Sequence, residues 1–145
     1  MLGELYDGPE SGNPGIPLVL RASARATIGG VGRTVLIVDD FAPFRATARA
    51  LLEADGFEVV GEAADGAQAR ASVRALRPEI VLLDVQLPGE DGFAVAARLA
   101  ADVRVVLTSS RERAQYRRAL AVPGAPPFIP KSELSGAALA AALAG

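Results

Sequence analysis

Five short runs of mainly branched aliphatic residues recur along the chain, and their starts are about 23 residues apart. The runs are Thr34–Val38, Phe57–Glu62, Ile80–Asp84, Arg104–Thr108 and a shorter one around Phe128–Pro130. Short apolar runs that alternate with helix-length segments indicate parallel strands joined by right-handed helical crossovers. The sequence therefore predicts an α/β protein with a doubly wound, five-stranded parallel sheet in the strand order 2-1-3-4-5.

The segments between these runs carry the periodic apolar pattern of amphipathic helices. The positions predicted to face the core in the first three helices are Phe44, Ala48, Leu51 and Leu52, then Ala69, Val73 and Leu76, then Phe93, Ala96, Ala97 and Ala100. Asp55-Gly56 and Arg77-Pro78 are predicted to end the first two helices. Residues 111–121 are predicted to form a polar, exposed helix, and the last helix, at residues 135–144, is predicted to begin with Ser135 as its N-cap.

The composition limits the chemistry that the chain can perform. It contains no His and no Cys, which excludes imidazole and thiolate metal sites and phosphohistidine chemistry on this chain. Any metal ion must be bound by oxygen, as magnesium, calcium and manganese are. The formal net charge of −2 gives no electrostatic argument for a nucleic-acid partner. The basic residues are fourteen Arg and a single Lys, Lys131, whose compact ammonium a guanidinium cannot replace in a tight phosphate site.

Residues 1–30 differ from the rest of the chain. They are rich in Gly, Pro, Ser and Ala without sustained periodicity, and are predicted to form a flexible N-terminal extension to a single domain at residues 31–145. Their acidic start and short apolar runs do not match a signal peptide. No segment approaches the roughly 20 apolar residues of a membrane span, so we expect a cytoplasmic protein without a membrane partner.

Polar side chains stand at the ends of four of the predicted strands. Asp39 and Asp40 follow the first run, Asp84 ends the third, Thr108 ends the fourth and Lys131 follows the fifth. The carboxyl ends of parallel strands lie at one edge of a sheet, so we expect these side chains to converge there. Three neighbouring carboxylates repel one another, and a divalent cation such as Mg²⁺ would neutralise them. With a hydroxyl and an ammonium opposite, this edge would suit a phosphoryl group.

Each of these residues also has a simpler interpretation when it is taken alone. Asp84 could cap the turn that follows its strand, and Asp39 and Asp40 could cap a helix. Thr108 could be an ordinary strand former and Lys131 a solvated loop residue. Their joint placement at the same ends of four strands favours the functional interpretation.

Four separated segments together resemble the receiver domain of response regulators, in order and at suitable intervals. They are Val35-Leu36-Ile37-Val38-Asp39-Asp40-Phe41, Val81-Leu82-Leu83-Asp84 with Leu87-Pro88-Gly89 to Gly92, Val105-Val106-Leu107-Thr108, and Phe128-Ile129-Pro130-Lys131. The resemblance covers about residues 33–145. It implies the flavodoxin-like (βα)5 fold and a role in two-component signalling.

The resemblance also implies a metal site and a phosphoryl acceptor. Asp84 would accept a phosphoryl group from the phosphohistidine of a sensor histidine kinase or a phosphotransfer protein. Asp40, Asp84 and the backbone carbonyl of Gln86 would bind Mg²⁺ directly, and Asp39 would bind it through water.

A conformational switch is implied as well. Lys131 would contact the phosphoryl group, Thr108 would be the hydroxyl that moves, and Phe128 the aromatic residue that changes rotamer. The sequence departs from the family pattern after Lys131, where Ser132 stands in place of a common Pro, so a cis peptide there is doubtful. Ser109 stands where a small Ala is common, which should be tolerated.

The function indicated is a phosphorylation-dependent signalling switch, not an enzyme beyond its own phosphorylation and dephosphorylation. No output domain is expected after the last helix, so the signal would pass to a protein partner or a homodimer through helix 4, strand 5 and helix 5. One alternative is a degenerate receiver that acts as an unphosphorylated binding module. Another is a phosphohydrolase with a nucleophilic Asp, although Asp39-Asp40-Phe41 lacks the second acid two residues after the first.

Overall fold

Strands and helices alternate throughout residues 32–145, the part of the chain that the computed structural model describes. The strands are β1 (Thr34–Val38), β2 (Glu58–Ala63), β3 (Ile80–Asp84), β4 (Arg104–Ser109) and β5 (Phe128–Pro130). The α-helices are α1 (Ala42–Ala54), α2 (Gly66–Leu76), α3 (Gly92–Leu99), α4 (Arg117–Leu120) and α5 (Gly136–Ala144). The extension predicted for residues 1–30 lies outside the described residues.

The five strands form one parallel sheet in the order β2-β1-β3-β4-β5, which confirms the predicted fold class and strand order. Strand β3 lies at the centre, and all five of its residues are buried. Its register pairs Leu83 with Val38 of β1 and Asp84 with Thr108 of β4. The ends of these strands are therefore level, which brings their terminal side chains to one edge of the sheet.

Alternate residues of each strand pack into two separate hydrophobic layers. Leu36 and Val38 of β1 face the layer beneath α2 and α3. Val35 and Ile37 face the opposite layer, which α1 and α5 cover. The central strands are thus apolar on both faces, as expected of a parallel sheet covered by helices.

The predicted core face of the first two helices was partly wrong. Ala48 and Leu52 of α1 are fully buried and Phe44 packs against them, but Leu51 is 39% exposed. Leu76, at the end of α2, is 46% exposed. Adjacent helical residues point about 100° apart, so Leu51 lies at the rim of the face that Leu52 buries. Leu76 lies in the last turn of α2, at the edge of the core.

The buried face of α3 also differs from the prediction. Val95, Ala96 and Leu99 are buried, whereas Ala97 and Ala100 are exposed. This helix is apolar on most of its circumference, so periodicity alone does not determine which side faces inward. Val and Leu bury more apolar area than Ala, and this difference selects the observed face.

The segment between β4 and β5 contains less helix than predicted. A 3₁₀ helix at Arg113–Tyr116 leads into α4, which has four residues, where the pattern predicted one helix at residues 111–121. Pro123 follows soon after α4, and proline disfavours continued helix. The predicted bounds of β2 were one residue too early at each end.

The predicted cap of the last helix is confirmed. Ser135 is the N-cap of α5, and its Oγ accepts a hydrogen bond from the Ala138 N–H at 2.9 Å. The described residues contain no cis peptide bond, including those around Lys131. Pro88-Gly89 connects the two strands of a short antiparallel ribbon, Gln86–Leu87 and Glu90–Asp91. None of the helices in residues 32–145 is both long enough and apolar enough to span a membrane.

Candidate functional site

Three aspartates lie together at the carboxyl edge of the sheet. Asp39 follows β1 and is fully buried, Asp84 is the buried last residue of β3, and Asp40 is exposed at the rim. Each offers a carboxylate oxygen, and these three oxygens lie within 4.8 Å of one another. The two buried acids sit at the switch point between β1 and β3, where open α/β sheets bind ligands.

The two buried carboxylates each use one oxygen to fix the turn that follows their strand. The Phe41 N–H donates to Asp39 Oδ1 at 2.9 Å, and the Gln86 N–H donates to Asp84 Oδ1 at 3.0 Å. Turn capping and a chemical role are therefore compatible, since Oδ1 holds the side chain in place while Oδ2 faces the site.

The turn after Asp84 requires a glycine at residue 92. A side chain there would collide with the backbone of Asp84 and Val85. The Gly92 N–H instead donates to the Val85 carbonyl at 2.8 Å, which pulls the start of α3 against the end of β3. This close approach explains why residue 92 is a glycine.

Lys131 lies across the site from the aspartates. Its Nζ is 2.6 Å from Asp39 Oδ2 and 3.4 Å from Asp84 Oδ2. The ammonium also lies over the Phe44 ring, 4.3 Å from its centroid. In this conformation the closer partner of the ammonium is Asp39, not Asp84.

Burial raises the pKa of the Asp84 carboxyl from its ordinary value of 3.8 to about 6. The hydrogen bond from the Gln86 N–H opposes this rise, the Asp39 carboxylate adds to it, and Lys131 opposes it. At neutral pH Asp84 is thus largely ionised but poorly solvated. A nucleophilic carboxylate benefits from this state, because it has little hydration to lose.

The residues of this site fit a divalent cation. Three carboxylates face one ammonium, so the site has unbalanced negative charge when all are ionised. Among the described residues, buried Asp39 Oδ2 has no hydrogen-bond donor of acceptable geometry, although it has the ion-pair contact with Lys131. The available ligand atoms are carboxylate and carbonyl oxygens, which are those that Mg²⁺ prefers.

Thr108 is fully buried, and its hydroxyl is hydrogen-bonded to the neighbouring strand. Thr108 Oγ1 donates to the Ile129 carbonyl of β5 at 2.7 Å. Beside it, Ser109 Oγ lies 2.9 Å from the Tyr116 hydroxyl. The residue predicted to be the hydroxyl switch is therefore bonded to β5 here, and its neighbour is bonded to the 3₁₀ helix.

Phe128 is buried beneath that same 3₁₀ helix. Its ring packs against Tyr116 with centroids 5.6 Å apart, and the Arg113 guanidinium lies 5.3 Å from its centroid. Arg113 Nη2 also donates to the Phe128 carbonyl at 2.8 Å. Arg113 and Tyr116 were missed from the sequence, although a Tyr in a polar segment of a chain with two tyrosines was a usable signal.

An open groove of about 810 Å³ runs from the aspartates along α1. Its apolar wall includes Phe41, Pro43 and Leu51, and Phe41 is 59% exposed. Gln86 also lines this groove, and its exposed amide faces Arg111. With its oxygen as acceptor, this amide lies 3.1 Å from Arg111 Nη2 and 3.3 Å from Nε.

A flavodoxin-like sheet with an acidic cluster at its carboxyl edge defines an α/β domain of the receiver class. The family model of the response regulator receiver domain matches residues 35–144. The chain therefore belongs to the response-regulator receiver family.

Comparisons with individual proteins agree with this assignment. A Pseudomonas aeruginosa protein described as a transcriptional regulator is 39% identical over 102 residues, which are 68% of this chain and 49% of that protein. The receiver domain of the Mycobacterium tuberculosis response regulator NarL has a TM-score of 0.65 at 36% identity, over 79% of this chain and 99% of that one. A chain of the Borrelia burgdorferi CheX–CheY–BeF3–Mg²⁺ complex has a TM-score of 0.64 at 27% identity, over 79% and 88%. This chain spans about half the length, or less, of such curated relatives.

Proposed function

We propose that this protein is a phosphorylation-dependent signalling switch, with Asp84 as the phosphoryl acceptor. The donor is the phosphohistidine of a sensor histidine kinase or a phosphotransfer protein, since the chain has no His of its own. The observation that carries the proposal is the placement of Asp84, whose Oδ2 is open to the site and lies 3.4 Å from the only Lys of the chain.

In the proposed reaction, an Asp84 carboxylate oxygen forms a new O–P bond while the N–P bond of the phosphohistidine breaks. The donor imidazole leaves with the electron pair of that bond. Catalysis of such a transfer is mainly positioning and charge stabilisation. Lys131 supplies positive charge by moving from Asp39 to a phosphoryl oxygen, a short movement because its ammonium already lies between Asp39 and Asp84.

Mg²⁺ is the proposed cofactor, and when bound it would neutralise negative charge on the transferred group. Asp40, Asp84 and the Gln86 carbonyl would bind it directly, and Asp39 would bind it through water. The clustered carboxylates support this assignment, as does buried Asp39 Oδ2, which accepts no hydrogen bond and is paired with the Lys131 ammonium. The CheX–CheY–BeF3–Mg²⁺ complex, in which a structural relative occurs together with Mg²⁺, also supports it.

Phosphorylation would be read out through Thr108 and Phe128. We expect the Thr108 hydroxyl to leave the Ile129 carbonyl for a phosphoryl oxygen, and Phe128 to change rotamer. Arg113 and Tyr116 hold Phe128 from outside, so their 3₁₀ helix would move with it. The output surface is therefore proposed at α4, β5 and α5, facing a downstream protein or a second copy of the chain.

The groove along α1 is the proposed approach for the donor. Its exposed Phe41 and Leu51 lie beside the acceptor, where an apolar surface of the donor protein can pack. We propose a cytoplasmic location, with no membrane or nucleic-acid partner, and a receiver domain that extends over residues 31–145.

The direct test is the intact mass of the protein after incubation with acetyl phosphate and Mg²⁺. We expect one added phosphoryl group on the wild type, and none on Asp84→Asn. Asp40→Asn, which keeps the acceptor but removes a proposed metal ligand, should be labelled more slowly. An unlabelled wild type, or equal labelling of Asp84→Asn, would overturn the proposal and favour the unphosphorylated binding module.

A further inference from the structure

Arg45, near the start of α1, contacts the backbone of the acidic site. Its Nη1 donates to the Asp39 backbone carbonyl at 2.6 Å, and its Nε donates to Glu62 Oε1 of β2 at 3.0 Å. The side chain is only 18% exposed. One guanidinium therefore connects the end of β1, the start of α1 and the edge strand of the sheet.

The backbone that Arg45 holds is the short connection that carries both Asp39 and Asp40. Only residues 39–41 separate β1 from α1. The Asp39 N–H donates to the carbonyl of Ala63, the last residue of β2, at 3.0 Å. The Asp39 carbonyl has Arg45 as its side-chain donor, so the peptide groups on both sides of the Asp39 side chain are fixed.

We propose that Arg45 is a positioning residue for the acidic pair, which fixes the Asp39 carbonyl and so sets the Asp39 and Asp40 carboxylates for Mg²⁺. The inference rests on the proposed function, since it concerns the metal site of the phosphoryl transfer. An Arg is suited to this task because its planar fork can donate to a carboxylate and a carbonyl at once. A Lys at this position keeps the charge but not the two-way geometry.

The competing interpretation is that Arg45 belongs only to a surface ion-pair network. Glu62 also accepts a hydrogen bond from Arg49 Nε at 2.8 Å, and Arg49 Nη1 pairs with Glu53 at 3.1 Å. Arg49 thus shares the same Glu62 but donates to the Val59 carbonyl, at 3.3 Å, and not to Asp39. Arg49→Met is therefore a matched control that weakens the network without releasing the acidic pair.

Charge and positioning predict opposite effects on Mg²⁺ binding. A guanidinium near the site repels a cation, so a purely electrostatic role predicts that Arg45→Met binds Mg²⁺ more tightly than wild type. A positioning role predicts weaker binding by about tenfold, typical of residues that orient metal ligands. Arg45→Lys keeps the charge, and it should also bind Mg²⁺ more weakly if positioning is what matters.

The experiment is calorimetric titration of Mg²⁺ into four forms of the 145-residue chain, namely wild type, Arg45→Met, Arg45→Lys and Arg49→Met. Urea unfolding verifies that each form is folded. We expect weaker binding in both Arg45 variants, a wild-type affinity in Arg49→Met, and recovery of the acetyl phosphate labelling rate of the Arg45 variants at high Mg²⁺. Mg²⁺ binding by the folded Arg45 variants that equals or exceeds wild type would refute the positioning role. In that case, labelling of the wild type by acetyl phosphate would still support the proposed function. A wild type that binds no Mg²⁺ and takes no phosphoryl group would overturn both.

Discussion

The two oxygens of each buried aspartate have different environments. One oxygen of Asp84 is bound by the Gln86 N–H, and the other faces Lys131 across the site. The same division holds at Asp39, where Oδ1 accepts from Phe41 and Oδ2 faces the ammonium. Each of the two carboxylates therefore caps the turn after its strand with one oxygen and presents the other to the site.

The raised pKa of Asp84 predicts that the free energy of unfolding falls as the pH rises. The pKa is about 6 in the folded protein against an ordinary value near 3.8. A group with a raised folded pKa contributes stability below its unfolded pKa and loses it as the pH rises through its folded pKa. Without Mg²⁺, Asp84→Asn is therefore expected to be more stable than wild type at pH 8, on the order of 1 kcal/mol after allowing for solvent screening.

Urea unfolding of wild type and Asp84→Asn at pH 4 and pH 8 measures this difference. The gain should shrink towards zero at pH 4, where the wild-type carboxyl is protonated in the folded state. Added Mg²⁺ at pH 8 should stabilise the wild type by mass action and reduce the gain. A gain that is larger at pH 4 than at pH 8 would contradict the assigned direction of the pKa shift.

At the scale of elements, the 3₁₀ helix at Arg113–Tyr116 is fastened to two neighbouring strands. Tyr116 reaches Ser109 of β4, and Arg113 reaches the ring and the carbonyl of Phe128 in β5. Ser109 directly follows Thr108, so we expect a movement at Thr108 to disturb the hydrogen bond between Ser109 and Tyr116. The environment of Tyr116 should therefore report phosphorylation.

The chain has two tyrosines and no tryptophan, so Tyr116 is the only fluorescent tyrosine in a Tyr6→Phe background. In that background, beryllium fluoride with Mg²⁺, which together mimic the phosphorylated aspartate, is expected to change the Tyr116 emission. Ser109→Ala removes the hydroxyl partner, and should shift the resting emission and diminish the change. An identical response when Asp84→Asn is added would show that the signal does not arise at the proposed acceptor.

The sheet topology was predicted correctly from the sequence, whereas the buried faces of individual helices were predicted only in part. The spacing of the aliphatic runs indicated five parallel strands with helical crossovers, and the order 2-1-3-4-5 was predicted as the common one for that pattern. Leu51 was assigned to the core wrongly because it lies at the rim of the buried face of α1. Ala97 was assigned wrongly because α3 is apolar on most of its circumference, so an apolar residue there can face either way. The contacts of Arg45 with Asp39 and of Tyr116 with Ser109 could not be predicted, because they depend on where long side chains end in space.

For the molecule as a whole, Asp55 connects two distant parts of the chain. Asp55 follows α1, and its Oδ2 accepts from the Gly136 N–H at the start of α5 at 2.9 Å. These helices cover the same face of the sheet, and the carboxylate also lies at the positive end of α5. A side chain at residue 136 would collide with Asp55, which explains the glycine there.

Asp55→Ala is expected to lower the free energy of unfolding by about 1–2 kcal/mol, through loss of a charge-assisted bond to a helix N-terminus. Urea unfolding at pH 7 measures the change, and Asp55→Asn should recover part of it. Asp102→Ala, at an exposed acid elsewhere on the surface, serves as the control and should alter stability little. Equal effects of the two alanine variants would show that the link to α5 contributes nothing particular.

The resting position of Lys131 makes the two proposed ligands of this protein mutually dependent. Its ammonium is nearer to Asp39 than to Asp84. A cation that pairs with Asp39 would therefore release the ammonium to neutralise a phosphoryl group on Asp84. Thermodynamic reciprocity then requires that a phosphoryl group on Asp84, by drawing the ammonium away, strengthens the hold of Asp39 on a cation. We therefore expect Mg²⁺ and the phosphoryl group to be bound cooperatively, each more tightly when the other is present.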